Sequence, residues 1–148
     1  MSSTPPPRKE VLDELLLEFS NLKAYADALR QQIELTANIL TELALSKSSL
    51  EEIKARGGEG EVLVHVGAGN YIRVQLHALN NVIMGVGAGF SVEKSVSDAI
   101  AEMETRIRQG QEQSLKLQEQ YGKVSQRLAQ LQEQIDSIYA RLEATGQA

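Results

Sequence analysis

The chain has 148 residues, no cysteine and a formal net charge of -5. These figures exclude a disulfide framework and thiolate metal sites, and they argue against a general nucleic-acid binder, which needs a basic surface. With two Phe, four Tyr and no Trp, few large side chains are available to fill a broad core. Because Gln, Glu, Leu, Ala, Lys and Arg dominate outside the middle of the chain, we expect long helices.

The first residues, MSSTPPPRKE, contain no apolar segment of the kind found in a secretory signal. No stretch approaches the ~18 apolar residues of a membrane span. We therefore expect a cytoplasmic protein with no membrane partner. Residues 1–8 are rich in Ser, Thr and Pro, which predicts a disordered tail.

A heptad pattern runs through residues 9–57 and predicts a coiled-coil helix. Ten of its twelve seam positions are apolar: Leu12, Leu15, Phe19, Leu22, Ala26, Leu29, Ile33, Thr36, Leu40, Leu43, Lys47 and Leu50, with Thr36 and Lys47 as the exceptions. Gly57 and Gly58 are expected to end the helix, because glycine readily adopts the left-handed conformation found at helix C-termini.

A second helix of matching length is predicted over residues 96–144, before a frayed tail at 145–148. Its seam positions are Ile100, Met103, Ile107, Gly110, Ser114, Leu117, Tyr121, Val124, Leu128, Leu131, Ile135, Ile138 and Leu142. Ser97 is the predicted N-cap, Asp98 adds a favourable charge in the first turn, and Gly110 and Ser114 mark a weak point. Two helices of equal length can fold back antiparallel and bury each other's seam.

Two similar strings, VLVHVGAGN and VIMGVGAGF, lie between the helices in residues 58–95. Glycine-rich loops can cradle phosphates or can turn a strand back on itself. A dinucleotide fingerprint needs a third glycine and a following helix, and a P-loop needs G-x-x-x-x-G-K-[ST]. Neither pattern occurs, since Gly69 is followed by the strand-like NYIRV. The glycines are therefore predicted to form the turns of two β-hairpins.

A three-residue Gly-Ala-Gly loop in each hairpin would pair Val66 with Asn70 and Val86 with Phe90. One face of the predicted hairpins is then mainly apolar: Val62, Val64, Val66, Ile72, Val74, Met84, Val86, Phe90 and Val92. Helices that point away cannot cover this face, and burying an aliphatic side chain is worth about 1.5–3 kcal/mol. We therefore predict an α+β fold, a long antiparallel helical coiled-coil hairpin with two β-hairpins between its helices, that assembles through those hairpins.

The paired helices, the twin VGAG turns and the lead-in FSVEKSVSDAIAEM together resemble the α subunit of archaeal prefoldin. The resemblance covers about residues 9–144, and the duplicated hairpin is its specific part. It implies a hexamer of two α and four β subunits, whose hairpins build a β-barrel platform. It also implies a chaperone that, without ATP or any cofactor, captures unfolded proteins between its helix tips and passes them to a group II chaperonin.

Client contacts are expected at the tips, where the first helix begins and the second ends. Apolar residues widen the surface beyond the seam there, and exposed apolar surface commonly marks a partner site. The candidate residues are Val11, Leu12, Leu15, Leu16, Leu17, Ile138, Tyr139 and Leu142. For Leu15 and Ile138, packing against the opposite helix is the favoured interpretation, because both lie on the seam.

The sequence offers no constellation that indicates catalysis. His65 and His77 are the two histidines, and zinc sites usually need three or four protein ligands, so we expect no metal site. Two other functions stay open: a structural coiled-coil adaptor whose tips bind one folded partner, and, less favoured, an enzyme with a ligand site at the glycine loops. Protection of a denatured protein from aggregation would separate the chaperone from the adaptor.

Overall fold

The computed structural model describes residues 9–146, so the predicted tail at 1–8 and the last two residues lie outside the described part. A long helix, four strands and a second long helix follow one another: α1 (Lys9–Ala55), β1 (Gly60–Gly67), β2 (Asn70–Leu76), β3 (Asn81–Gly87), β4 (Phe90–Ser95) and α2 (Val96–Ala144). This order confirms the predicted α+β class, with two hairpins placed between two helices. Beyond α2, the amide of Thr145 donates to the carbonyl of Arg141 in a final turn.

The chain divides into two compact units. The helical unit contains the chain up to Ala37 together with the chain from Gln113 onward, and the hairpin unit is Asn38–Glu112. In the helical unit the start of α1 packs against the end of α2, since Leu12 clusters with Ile135 and Ile138. The two helix segments are therefore antiparallel there.

The predicted seams are confirmed, because all of their positions on both helices are buried or half-buried. In the helical unit, Ala26, Leu29, Leu117 and Val124 form one buried cluster. Leu131 is fully buried at 0% exposure. The heptad spacing places these side chains on one stripe of each helix, and mutual burial of the two stripes holds the pair together.

The polar and small seam positions of the hairpin unit have local explanations. The Lys47 ammonium lies 3.6 Å from a carboxylate oxygen of Glu51 and 3.6 Å from one of Glu104, so its charge is paired across the helices. At Gly110, an added Cβ would come within 2.7 Å of Cδ2 of Leu40. The absence of a side chain at Gly110 therefore makes room for the side chain of Leu40.

Backbone hydrogen bonds end α1 as predicted. The amide of Gly58 donates to the carbonyl of Ile53 and that of Gly57 to Lys54, at 3.0 Å each, which is the Schellman arrangement. Both glycines have positive φ. The predicted N-cap of α2 is wrong: the hydroxyl of Ser95, two residues before Ser97, accepts from the amide of Asp98 at 3.1 Å.

The four strands form two separate antiparallel hairpins, β1–β2 and β3–β4. Val62 faces Val74 and Val64 faces Ile72, so residues of the predicted apolar face pair with one another, but the predicted three-residue loop is wrong. Gly67 pairs with Asn70 across a two-residue turn, and the register shifts between His65 and Gly67. Gly87 likewise pairs with Phe90, which also removes the predicted pair of Val86 with Phe90.

The turns themselves depend on positive φ. Ala68 and Gly69 have φ of 50° and 77°, the signs that a type I′ hairpin turn requires at both central residues. Ala88 and Gly89 repeat the same geometry, with φ of 52° and 77°. Because an extra residue is accommodated as a bulge before each turn, the strands stay in register beyond it.

Candidate interaction surfaces

The end of the helical unit contains a small apolar core made from both helices. Leu12, Ile135 and Ile138 are buried there, with Leu15, Phe19 and Leu142 packed around them. Of the predicted tip residues, Leu12 and Ile138 are therefore covered by the chain itself. Leu15 and Leu142 are half-buried at the edge of this cluster.

Four of the predicted tip residues remain exposed: Val11, Leu16, Leu17 and Tyr139. We call them the tip surface. Val11, Leu16 and Tyr139 lie beside the seam, and Leu17 lies on the outer side of α1, where it is the most exposed at 63%. Val11 also lines a groove of about 580 Å³ together with Leu15, Ile138, Glu133 and Arg141.

An ion pair joins the two helices of the helical unit near the tip surface. The guanidinium of Arg127 donates to both carboxylate oxygens of Glu18, from Nε at 2.9 Å and from Nη2 at 3.1 Å. This hydrogen bonding raises the pKa of Arg127 above its usual value. The sequence alone does not predict this pair, because finding it requires the register of the two antiparallel helices.

The predicted assembly residues of the hairpins differ in their surroundings. Met84 is 6% exposed, since it packs on Ala99 and Met103 of α2. Val62 and Val74 are half-buried, whereas the other six predicted assembly residues are exposed. We call the exposed residues Val64, Val66, Ile72, Val86, Phe90 and Val92 the hairpin face, with Phe90 at 71% exposure.

Three further apolar side chains of the hairpins are exposed on the opposite side of the strands. They are Leu63, Tyr71 and Ile83, and Ile83 is 80% exposed. The ring of Tyr71 meets that of His65 edge-on, at a centroid distance of 5.2 Å, so this histidine has an aromatic contact. None of these three residues belongs to the predicted apolar face.

Neither a metal centre nor a membrane span is found in residues 9–146. No group of three or more His, Cys, Asp or Glu side chains in this range is arranged to hold a metal ion. No helix in the same range is long and apolar enough to cross a membrane. The glycine turns lie between strands, and neither opens a helix.

The two helices cover each other's seam, whereas most apolar residues of the β-hairpins between them in the sequence are exposed. These features define a subunit that assembles with other proteins. The family model for a prefoldin subunit matches residues 22–141. The chain therefore belongs to the prefoldin family, in its archaeal alpha class. Members of this family are non-enzymatic chaperone components that assemble with other prefoldin subunits.

Individual relatives agree with this assignment. Prefoldin subunit alpha 1 of Thermococcus kodakarensis is 38% identical over 98 residues, covering 66% of this chain and 67% of the relative. Prefoldin subunit alpha of Methanoculleus marisnigri is 32% identical over 133 residues, covering 86% and 85%. A cryo-EM structure of filamentous PFD from Methanocaldococcus jannaschii shares the fold, with 24% identity, a TM-score of 0.56, and coverage of 82% of this chain and 95% of that one.

Proposed function

We propose that this chain is a subunit of a cytoplasmic, ATP-independent holdase that captures non-native proteins at the ends of its helices. The observation that carries the proposal is the tip surface, which leaves Leu16, Leu17 and Tyr139 exposed although the seam beside them is covered. Membership of a chaperone family agrees with such a role. A non-native chain exposes apolar segments that these side chains can bind.

Each tip offers only a few apolar side chains, so one contact alone would be weak. Several tips that hold one client would raise the overall affinity, since linked sites bind at high effective concentration. The proposed assembly supplies these copies as a hexamer of two α and four β subunits. Weak individual contacts also allow the client to be released without nucleotide hydrolysis.

The hairpins support the proposed platform. Their apolar hairpin face is exposed, and among the described residues each hairpin is a separate two-stranded sheet. Unpaired strand edges invite pairing with another chain, and covering the apolar face would favour assembly. We propose that hairpins of neighbouring subunits cover both features by closing into β-barrels.

Delivery of the client to a group II chaperonin completes the proposed function. Its support is family membership. A fluorescent, denatured client held by the assembly should dissociate faster when a group II chaperonin is added. An unchanged dissociation rate would remove this step from the proposal.

Substitution of the tip surface tests capture directly. The double variant Leu16→Ser, Leu17→Ser should lose most protection of a denatured model protein, measured by light scattering without nucleotide. Leu35→Ser, Leu115→Ser is the matched control, because both leucines are exposed in the helical unit but lie away from the tip surface. Leu35 is 18 residues from Leu17, about 27 Å along the helix axis.

The two variants separate the alternatives. Loss of protection at the tip variant with retention at the control supports the holdase. Equal protection by both variants would contradict it. Failure of the unsubstituted assembly to protect any denatured protein would favour the adaptor, which binds one folded partner.

A further inference from the structure

We propose that the tip surface selects non-native segments in which apolar residues are flanked by lysine or arginine. This inference rests on the proposed function, because it names the chemistry of the client that the same surface takes. Its basis is the distribution of charge around the exposed apolar side chains of the helical unit.

Two carboxylates lie on the N-terminal side of the exposed Leu17 on α1. Asp13 and Glu14 precede Leu17 by four and three residues, and all three side chains are exposed. Residues at these spacings are neighbours on a helix surface, with Cβ atoms about 5–6 Å apart. A segment that packs on Leu17 therefore places its flanking side chains beside two negative charges.

The exposed Tyr139 on α2 also has two carboxylate neighbours. Asp136 precedes Tyr139 by three residues and Glu143 follows it by four, and all three side chains are exposed. Both helices thus present an exposed apolar side chain beside two carboxylates: Leu17 has both on its N-terminal side, and Tyr139 has one on each side. A segment with apolar and cationic residues complements both features at once.

The charges within residues 9–17 and 133–143 are strongly unequal. Six exposed acidic residues, Glu10, Asp13, Glu14, Glu133, Asp136 and Glu143, face two cations, Lys9 and Arg141, which leaves a net charge of -4. Arg8, which precedes these residues in the sequence, would reduce that to -3. The Glu18–Arg127 pair lies outside this count and neutralises itself.

Exposed apolar residues elsewhere in the helical unit vary in this respect, because Leu115 also lies between two carboxylates, Glu112 and Glu119, whereas Tyr25 does not. The residues three and four positions from Tyr25 are Asn21, Leu22, Ala28 and Leu29, none of which is charged. Exposure alone therefore does not bring acidic neighbours. At the tip surface both helices carry such carboxylates, whereas Tyr25 and Leu35, the exposed apolar residues on the rest of α1 in the helical unit, have no charged residue at these spacings.

Three peptides of equal length and identical Leu- and Phe-containing centre provide the test. Their flanks carry lysine, serine or glutamate. Binding to the full-length chain assembled with β-type subunits is measured by fluorescence anisotropy. The lysine peptide should bind about tenfold more tightly than the glutamate peptide at about 50 mM salt, and about equally at 0.5 M, where charges are screened within a few Å.

A charge-reversal variant ties the preference to these residues. Glu14→Lys, Glu143→Lys should abolish the preference for the lysine peptide and leave binding of the serine peptide unchanged. Glu34→Lys, Glu119→Lys is the matched control, because both glutamates are exposed in the helical unit away from the tip surface. This control should retain the preference. The β subunits are the same in both assemblies, so they cannot account for a difference between the two variants.

The outcomes distinguish the two proposals. Equal binding of all three peptides, or equal effects of the two charge-reversal variants, would overturn the charge preference while leaving capture intact. Failure of every peptide to bind, together with no protection of a denatured protein, would overturn capture and the preference together.

Discussion

The helical seam and the hairpins use apolar residues in opposite ways. On the seam, every predicted position is at least half-buried by the chain itself. On the hairpins, six residues of the apolar hairpin face remain exposed, and Met84 is covered because it reaches α2. The difference teaches that the helices bury their apolar stripes within one chain, whereas the hairpins leave theirs exposed, as the proposed assembly surface requires.

The largest expected effect lies on the seam. Leu131→Ala should lower the free energy of unfolding by about 2–5 kcal/mol, because it leaves a cavity at a fully buried position. Chemical denaturation measures this loss. Leu35→Ala, at an exposed position of the same unit, is the control and should change stability by less than about 0.5 kcal/mol. Similar losses for the two variants would mean that the seam is not the principal core.

The contact between Gly110 and Leu40 gives a smaller effect. In a Leu40→Ala background, Gly110→Ala should stabilise the chain by about 1 kcal/mol, because alanine favours helix over glycine. In the unsubstituted chain the gain should shrink or reverse, since the new methyl group meets Leu40. A double-mutant cycle measures the difference. Equal gains of stability in both backgrounds would show that the Leu40 side chain does not occupy the space beside Gly110.

The smallest effect is expected at the hairpin turns. Ala68→Gly should stabilise the chain by about 0.5 kcal/mol, because glycine relieves the cost of a positive φ but adds freedom to the unfolded chain. Ala88→Gly at the equivalent turn should behave alike. Thermal unfolding measures both variants. A loss of stability in either would contradict the type I′ geometry.

Periodicity was sufficient to predict the helices and the strand pairs away from the turns. The seam follows from a repeat that continues along each helix, and the Val64–Ile72 pair follows from two-residue alternation. The turn was wrong because sequence preference assigns positive φ to glycine, whereas Ala68 also adopts it. The N-cap was wrong because Ser95 and Ser97 both suit the position, and the true helix start decides between them.

The candidate surfaces were harder to predict than the fold. Alternation shows which residues share a hairpin face, but it cannot show that Met84 contacts Met103 while Phe90 stays exposed. The same limit applies at the tip, where Leu12 is buried and Val11, its neighbour, is not. Burial of these residues depends on how neighbouring helices and strands pack. The spacing of apolar residues along the sequence does not specify that packing.

Native mass measurement tests the central claim most directly, namely that the hairpin face is an assembly surface. Mixed with a β-type subunit, the unsubstituted chain should give a mass of two α and four β subunits. Ile72→Ser, Phe90→Ser should stay unassembled, although its helical content by circular dichroism should match that of the unsubstituted chain. An assembly of unchanged mass from this variant would contradict the claim.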